Sequence, residues 1–260
     1  MRERTSARLW VRLRHMVSVL VRELGPVVGL GLLGLLRHPV WTTAAVEGGG
    51  LGVVVVPGFG GADASMAVLR RWLRGRGYVA AGVRFRMNLG CTADLVERLE
   101  RRVVEHARAT GGPVVLLGHS RGGWLGRLVA VRRPDLVRGL VMFGSPVLDP
   151  LDVRGVASLI LRVVVRLSTL GVRGLLNGDC LVGSCRDAAV VGLAAPLRVP
   201  AVAVYSRRDG VVGWRSCQDP SAEWVEVGSS HTGMGIDPEF YAALAPRLAG
   251  WAADRSVPAP

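Results

Sequence analysis

Ser120 stands in a setting suited to nucleophilic chemistry. Val114-Val115-Leu116-Leu117 reads as a buried strand, Gly118-His119-Ser120-Arg121-Gly122-Gly123 follows at once, and Trp124 to Val131 reads as a helix. A serine on so tight a turn is lifted clear of the strand, and the glycines two positions to either side leave room for the chain to fold back. The helix that starts behind it offers backbone N–H groups to a developing negative charge. Serine is a weak nucleophile at neutral pH. It needs a base in hydrogen-bond reach, and the base needs an orienting acid. The five histidines stand at 15, 38, 106, 119 and 231, and the carboxylates beyond the serine include Asp179, Asp187, Asp209 and Asp219.

The elements needed to hold such a serine alternate along the chain. Leu51–Val56, Tyr78–Phe85, the run at Val114, Gly139–Phe143, Pro200–Tyr205 and Glu223–Val227 read as six strands. Continuous apolar runs of this kind suit parallel strands buried on both faces. Between them, Ala62–Arg76 carries Met66, Leu69, Trp72 and Leu73 on one helical face, Thr92–Ala109 is stopped by Gly111-Gly112-Pro113, and Asp237-Pro238 opens a last helix through Trp251. The expected architecture is α/β, a mostly parallel sheet of about six strands with helices on both faces. Residues 147–198 interrupt the alternation. Val156, Leu159, Ile160, Val163, Val164, Leu167 and Leu170 recur at helical spacing there, flanked by arginines. This stretch is expected to form a small helical cap whose apolar helix walls a pocket. The expected organisation is an N-terminal amphipathic helical segment (1–47), the α/β domain (48–252) and a disordered tail (253–260).

The strand, serine turn and helix resemble the nucleophile elbow of the α/β-hydrolases. The similarity extends to Pro57-Gly58-Phe59-Gly60, Gly77-Tyr78, Asn88-Leu89-Gly90, Gly144-Ser145-Pro146, Tyr205-Ser206-Arg207-Arg208-Asp209-Gly210-Val211-Val212 and Ser230-His231-Thr232-Gly233-Met234. Together these cover residues 51–250 and resemble the serine esterase and lipase branch, in particular a bacterial, largely actinobacterial group. In that fold the chain order is serine, acid, histidine. Only His231 follows Ser120, in a small-residue loop after the last strand, and Asp209 lies just past the strand before it. Asp219, in a Gln-Asp-Pro turn, reads as a turn former. The resemblance therefore implies a Ser120, Asp209, His231 triad, with an oxyanion met by the backbone N–H groups of Phe59 and Arg121. His119 reads as structural, with its ring turned away from the base. Two positions depart from the pattern: many relatives have His-Gly where this chain has Pro57-Gly58, and a small apolar residue where it has Arg121. That arginine is expected either to bind an anionic part of the substrate or to cover the helix start.

The implied activity is hydrolysis of carboxylic esters with an apolar acyl part, on a small-molecule or lipid-like ester, with no cofactor and no metal. The rival readings are an acyltransferase or thioesterase using the same triad, and a non-catalytic membrane-associated or interaction protein on the same fold. The net charge of +13 comes from 33 arginines and no lysine. No basic run interleaved with aromatics accompanies it, which argues against nucleic acid as a partner. Cys91, Cys180, Cys185 and Cys217 lack paired C-x-x-C spacing, which disfavours structural zinc and leaves disulfides and buried thiols as the alternatives. In residues 1–24, Leu9, Trp10, Leu13, Val17, Leu20 and Val21 form an apolar stripe beside Arg8, Arg12, Arg14 and Arg22. This segment is expected either to pack on the domain or to lie in a membrane interface. The thirteen uncharged residues from Leu24 to Leu36 are short for a membrane span, and a secretory signal fits poorly. The expected location is cytoplasmic, with membrane association and export left open.

Overall fold

The computed structural model describes residues 26–43 and 45–254. Six strands, β1 (Gly52–Val56), β2 (Val79–Gly82), β3 (Val114–His119), β4 (Val137–Phe143), β5 (Ala201–Tyr205) and β6 (Glu223–Glu226), form one sheet in the order β2-β1-β3-β4-β5-β6. Every neighbouring pair is parallel. The strand that carries the serine turn therefore lies inside the sheet, between β1 and β4.

Parallel strands need crossovers, and these supply the two covering layers. Helices α1 (Pro26–Arg37), α3 (Ala67–Gly75) and α9 (Pro238–Ala253) cover one face; α4 (Thr92–Thr110), α5 (Arg121–Arg132) and α8 (Ser184–Ala194) cover the other. Strand side chains alternate between the layers. Val53, Val55, Val115 and Leu117 pack with Leu69, Trp72, Tyr241 and Leu248, whereas Val54, Val56, Val114 and Leu116 pack with Leu95, Leu99, Leu125 and Leu128. Because both faces are buried, the strands read as unbroken apolar runs.

The cap region between β4 and β5 holds α6 (Gly155–Thr169), the one-turn α7 (Asp179–Val182) and α8. Val164 of α6 is buried, whereas Leu159, Val163, Leu167 and Leu170 are exposed. Several boundaries differ from the sequence reading, three of them with a visible cause or consequence. β2 stops at Gly82 rather than Phe85, because the Asp63 carboxylate accepts the N–H groups of Val83 and Arg84 at 3.1 and 3.0 Å. Asp63 itself opens a 3-10 turn (Asp63–Met66) ahead of α3, and α5 begins at Arg121 rather than Trp124.

Helix α1 is joined to the domain by Leu35, fully buried beside Leu51 and Trp72. The one-turn α2 (Pro39–Thr42) follows it, and the Val40 carbonyl accepts from Trp72 Nε1 and Arg76 Nη2, each at 2.9 Å. Residues 1–24, where the sequence places the amphipathic stripe, lie outside the described residues. So do residues 255–260; Ala253 closes α9. Among the described residues no helix is long and apolar enough to cross a membrane.

Both rims of the sheet carry charged side chains. On β2 the outward carbonyl of Ala80 accepts from Arg74, and that of Gly82 accepts from Arg102 Nε at 2.9 Å. On β6, Glu223 pairs with Arg247, and Trp224 Nε1 donates to the Asp219 carbonyl.

Candidate active site

Ser120 has φ 51° and ψ −123°, a conformation that side-chain-bearing residues rarely hold. The surroundings enforce it. Its N–H donates to the Phe143 carbonyl at 2.9 Å, and its own carbonyl accepts from Gly123 N–H at 3.0 Å. The flanking glycines are required by close approach: a Cβ on Gly118 would sit 2.4 Å from Gly123, one on Gly122 would sit 2.5 Å from the Val56 and Pro57 carbonyls, and one on Gly123 would sit 1.9 Å from Ser145 Oγ.

His231 Nδ1 lies 2.6 Å from Asp209 Oδ2. The two side chains are 6% and 1% exposed, so water does not compete for the contact. Asp209 is held in turn by its other oxygen, Oδ1, which accepts the Val211 and Val212 N–H groups, both at 2.8 Å. A carboxylate fixed in this way orients the imidazole and steadies a positive charge on it. Gly144 makes room for the ring, since a Cβ there would stand 3.1 Å from His231 Nδ1.

The loop Pro57–Gly61 runs beside Ser120. A Cβ on Gly58 would approach Ser120 Cβ to 3.2 Å. Asn88 ties this loop down: its Nδ2 donates to the Pro57 carbonyl at 2.8 Å, its backbone carbonyl takes the Gly60 N–H, and its N–H goes to Gly61. The N–H groups of Phe59 and Arg121 donate to no acceptor among the described residues. Both belong to backbone that borders Ser120.

One side chain sits otherwise than the sequence suggests. The His119 ring does not turn away from His231: the centroids are 4.7 Å apart, and His119 Nε2 lies 3.0 Å from the His231 carbonyl. Burial, then the neighbouring His231, pushes the His119 pKa down to about 3, so it is neutral and its Nε2–H donates to that carbonyl. Arg121, at the start of α5 and at the edge of the cavity beside Ser120, is almost wholly buried. Its guanidinium lies against the Phe59 and Trp124 rings and donates from Nη2 to the Gly90 carbonyl at 2.8 Å and to Thr92 Oγ1 at 3.2 Å. Burial brings its pKa down to about 10.

Asp219 does form the expected turn, accepting Ser221 N–H at 2.9 Å, but it is also fully buried and pairs with Arg127 of α5. Nothing in the Gln-Asp-Pro turn signals that second role. Asn88 and His119 both stand in motifs that the sequence reading singled out, yet their supporting bonds to the loops needed the fold to appear.

Ser120, His231, Phe59 and Arg121 open onto one cavity of about 910 Å³. Its walls are mainly apolar. Met87 and Leu89 come from the loop after β2, and Val156, Ile160, Leu161 and Val164 come from α6.

No family model and no curated protein matches this chain. Solved structures do. The mature form of Bacillus licheniformis lipase BlEst2 superposes with a TM-score of 0.58 at 16% identity, over 82% of this chain and 94% of that one. The chain has the α/β-hydrolase fold. Other α/β-hydrolase structures similar to it include the Paleococcus ferrophilus monoacylglycerol lipase (TM-score 0.53, 17% identity, 79% of this chain and 95% of that one). The thioesterase domain from the curacin biosynthetic pathway gives a TM-score of 0.54 at 15% identity, over 77% and 91% of the two chains. Structures like this one are thus largely lipases and carboxylesterases, at identities low enough that the likeness concerns the fold.

Proposed function

We propose that this α/β hydrolase cleaves carboxylic esters carrying an apolar acyl group, through Ser120, His231 and Asp209. The observation that carries the reading is the buried 2.6 Å contact of His231 with Asp209, on a histidine that shares its cavity with a serine held at φ 51°. In this reading Ser120 Oγ attacks the ester carbonyl carbon while His231 Nε2 takes its proton. The backbone N–H groups of Phe59 and Arg121 receive the oxyanion. Collapse expels the alcohol, which leaves with the proton from His231. Water, deprotonated by the same imidazole, then frees the acid and regenerates the serine. The apolar walls of the cavity suit an acyl chain, and no charged side chain among the described residues besides Arg121, Asp149, Arg154 and Arg186 reaches its lining.

A fluorophosphonate probe should label wild type and fail on Ser120→Ala, and p-nitrophenyl esters of rising chain length should show a preference for longer acyl groups. Ester turnover in Ser120→Ala within about tenfold of wild type contradicts the assignment, because loss of an acyl-transfer serine costs many orders of magnitude. Asp209→Asn should lose about 10⁴-fold in kcat by leaving the imidazole in the wrong tautomer. Alcohol or thioester substrates offered in the same assay separate hydrolysis from acyl transfer and thioesterase action.

A further inference from the structure

Three of the four cysteines, far apart in sequence, meet beside the site. Cys180 and Cys185 belong to the cap, and Cys91 is the residue before α4. Their sulfurs form a compact triangle: Cys180–Cys185 3.4 Å, Cys91–Cys180 3.5 Å and Cys91–Cys185 3.8 Å. These separations are well beyond the roughly 2.05 Å of a disulfide. They suit a shared ion, since a point about 2.3 Å from all three sulfurs, the usual zinc–thiolate distance, lies roughly 1 Å out of their plane. Cys91 and Cys185 are partly exposed, so solvent water can take the fourth position of a tetrahedron.

A helix N-terminus and a buried guanidinium lie beside the triangle. In the first turn of the 19-residue α4, the Thr92 N–H reaches Cys180 Sγ at 3.5 Å. Next to it lies the Arg121 guanidinium, 4% exposed, with a partnerless Nε and no carboxylate partner among the described residues. Three thiolates around a divalent cation carry one net negative charge, which this arginine balances. The cap side of the triangle is also prebuilt. Asp179 accepts the Cys185 N–H and the Ser184 hydroxyl, each at 3.3 Å, and a Cβ on Gly183 would stand 2.1 Å from the same carboxylate.

We propose that Cys91, Cys180 and Cys185 bind a thiophilic divalent cation, with zinc as the fitting ion, and that this ion fastens the cap to the start of α4. Binding replaces three S–H bonds by three S–metal bonds and releases the protons to solvent, with no change of oxidation state. Cys180 also lines the cavity, so the clamp sets how firmly the cap closes that side of it. The site is independent of the hydrolase reading and is tested without any assay of turnover.

Full-length protein, reduced and freed of metal by a chelator, is titrated with Co²⁺ and then Zn²⁺. One Co²⁺ per chain should give sulfur-to-cobalt charge-transfer absorption and the visible bands of a tetrahedral ion, and one equivalent of Zn²⁺ should abolish both. Cys91→Ser and Cys185→Ser should each weaken Zn²⁺ binding at least about 100-fold, more than loss of an outer-shell partner does. Cys217→Ser, in a separate buried cluster, should bind as wild type does. Zn²⁺ should slow amide exchange across residues 175–186 in wild type and not in Cys91→Ser. Absence of the cobalt bands in the reduced protein overturns the site, as does a signal that survives both Cys91→Ser and Cys185→Ser. Binding that leaves exchange in 175–186 unchanged overturns the clamp.

Discussion

His119 is half-buried under the loop that carries His231, stacked on Phe143 and bonded to the His231 backbone. Its neutral state has a consequence for stability. In the folded protein it resists protonation until about pH 3, whereas in an unfolded chain it takes a proton near 6.5. Between those values the unfolded state binds more protons, so the stabilisation is complete above pH 6.5 and declines as pH falls towards 3, by up to about 1.4 kcal/mol per pH unit. His106, also lowered chiefly by burial, acts in the same direction. The melting temperature of wild type should therefore fall between pH 6.5 and pH 4, and His119→Gln should flatten that fall whatever its own effect at pH 7. Parallel slopes for the two proteins would show that His119 is not the titrating group. The serine beside it is the opposite kind of residue, since its backbone strain, about 1–3 kcal/mol for such a conformation, is held by neighbours rather than relieved.

Helix α5 is anchored at both ends of its role: it begins at the serine, and its Arg127 crosses to Asp219 in the loop between β5 and β6. Both partners are almost wholly buried, and Arg127 Nη1 also donates to the Ala195 carbonyl at 3.0 Å. Removing one member of a buried pair leaves the other charged and unpaired, at a cost of about 3–5 kcal/mol. Asp219→Ala should accordingly lower the melting temperature by on the order of 10 °C, while the folded fraction keeps its kcat. Asp209→Asn should do the reverse, and thermal scans beside kinetics on the two variants distinguish them. The contrast marks what a sequence discloses. The six strands, the serine turn and the loops holding Asp209 and His231 are local patterns, written in apolar runs and small residues a few positions apart. Arg127 and Asp219 are 92 residues apart, and Cys91 and Cys185 are 94 apart. Such pairs depend on which crossover lies beside which loop, and no local spacing encodes that. The same reason hid the turn of His119 towards His231 and the burial of Arg121, whereas the early stop of β2 came from a carboxylate 20 residues upstream.

The described molecule extends N-terminally beyond its sheet. Leu35 is buried with Leu51 and Val53, and a Cβ on Gly31 would touch Ile236 at 3.2 Å, so α1 is packed as part of the core. Leu35→Ala should destabilise by about 2–5 kcal/mol, whereas Leu30→Ser, at a position 69% exposed, should be nearly silent in a denaturant melt. Equal effects of the two would place α1 off the domain.

The charged rims of the sheet bear on how copies of this chain meet one another. An open six-stranded sheet ends in two rows of backbone groups, and a bare row invites a strand from another molecule to pair with it. On β2, the outward carbonyls of Ala80 and Gly82 are already engaged by Arg74 and Arg102. On β6, a strand of four residues carries glutamates at both ends, Glu223 paired with Arg247 and Glu226 with Arg207. A foreign strand would have to displace arginine donors at one rim and lie along ion pairs at the other. Charged side chains thus blunt both edges of the sheet against the addition of a foreign strand.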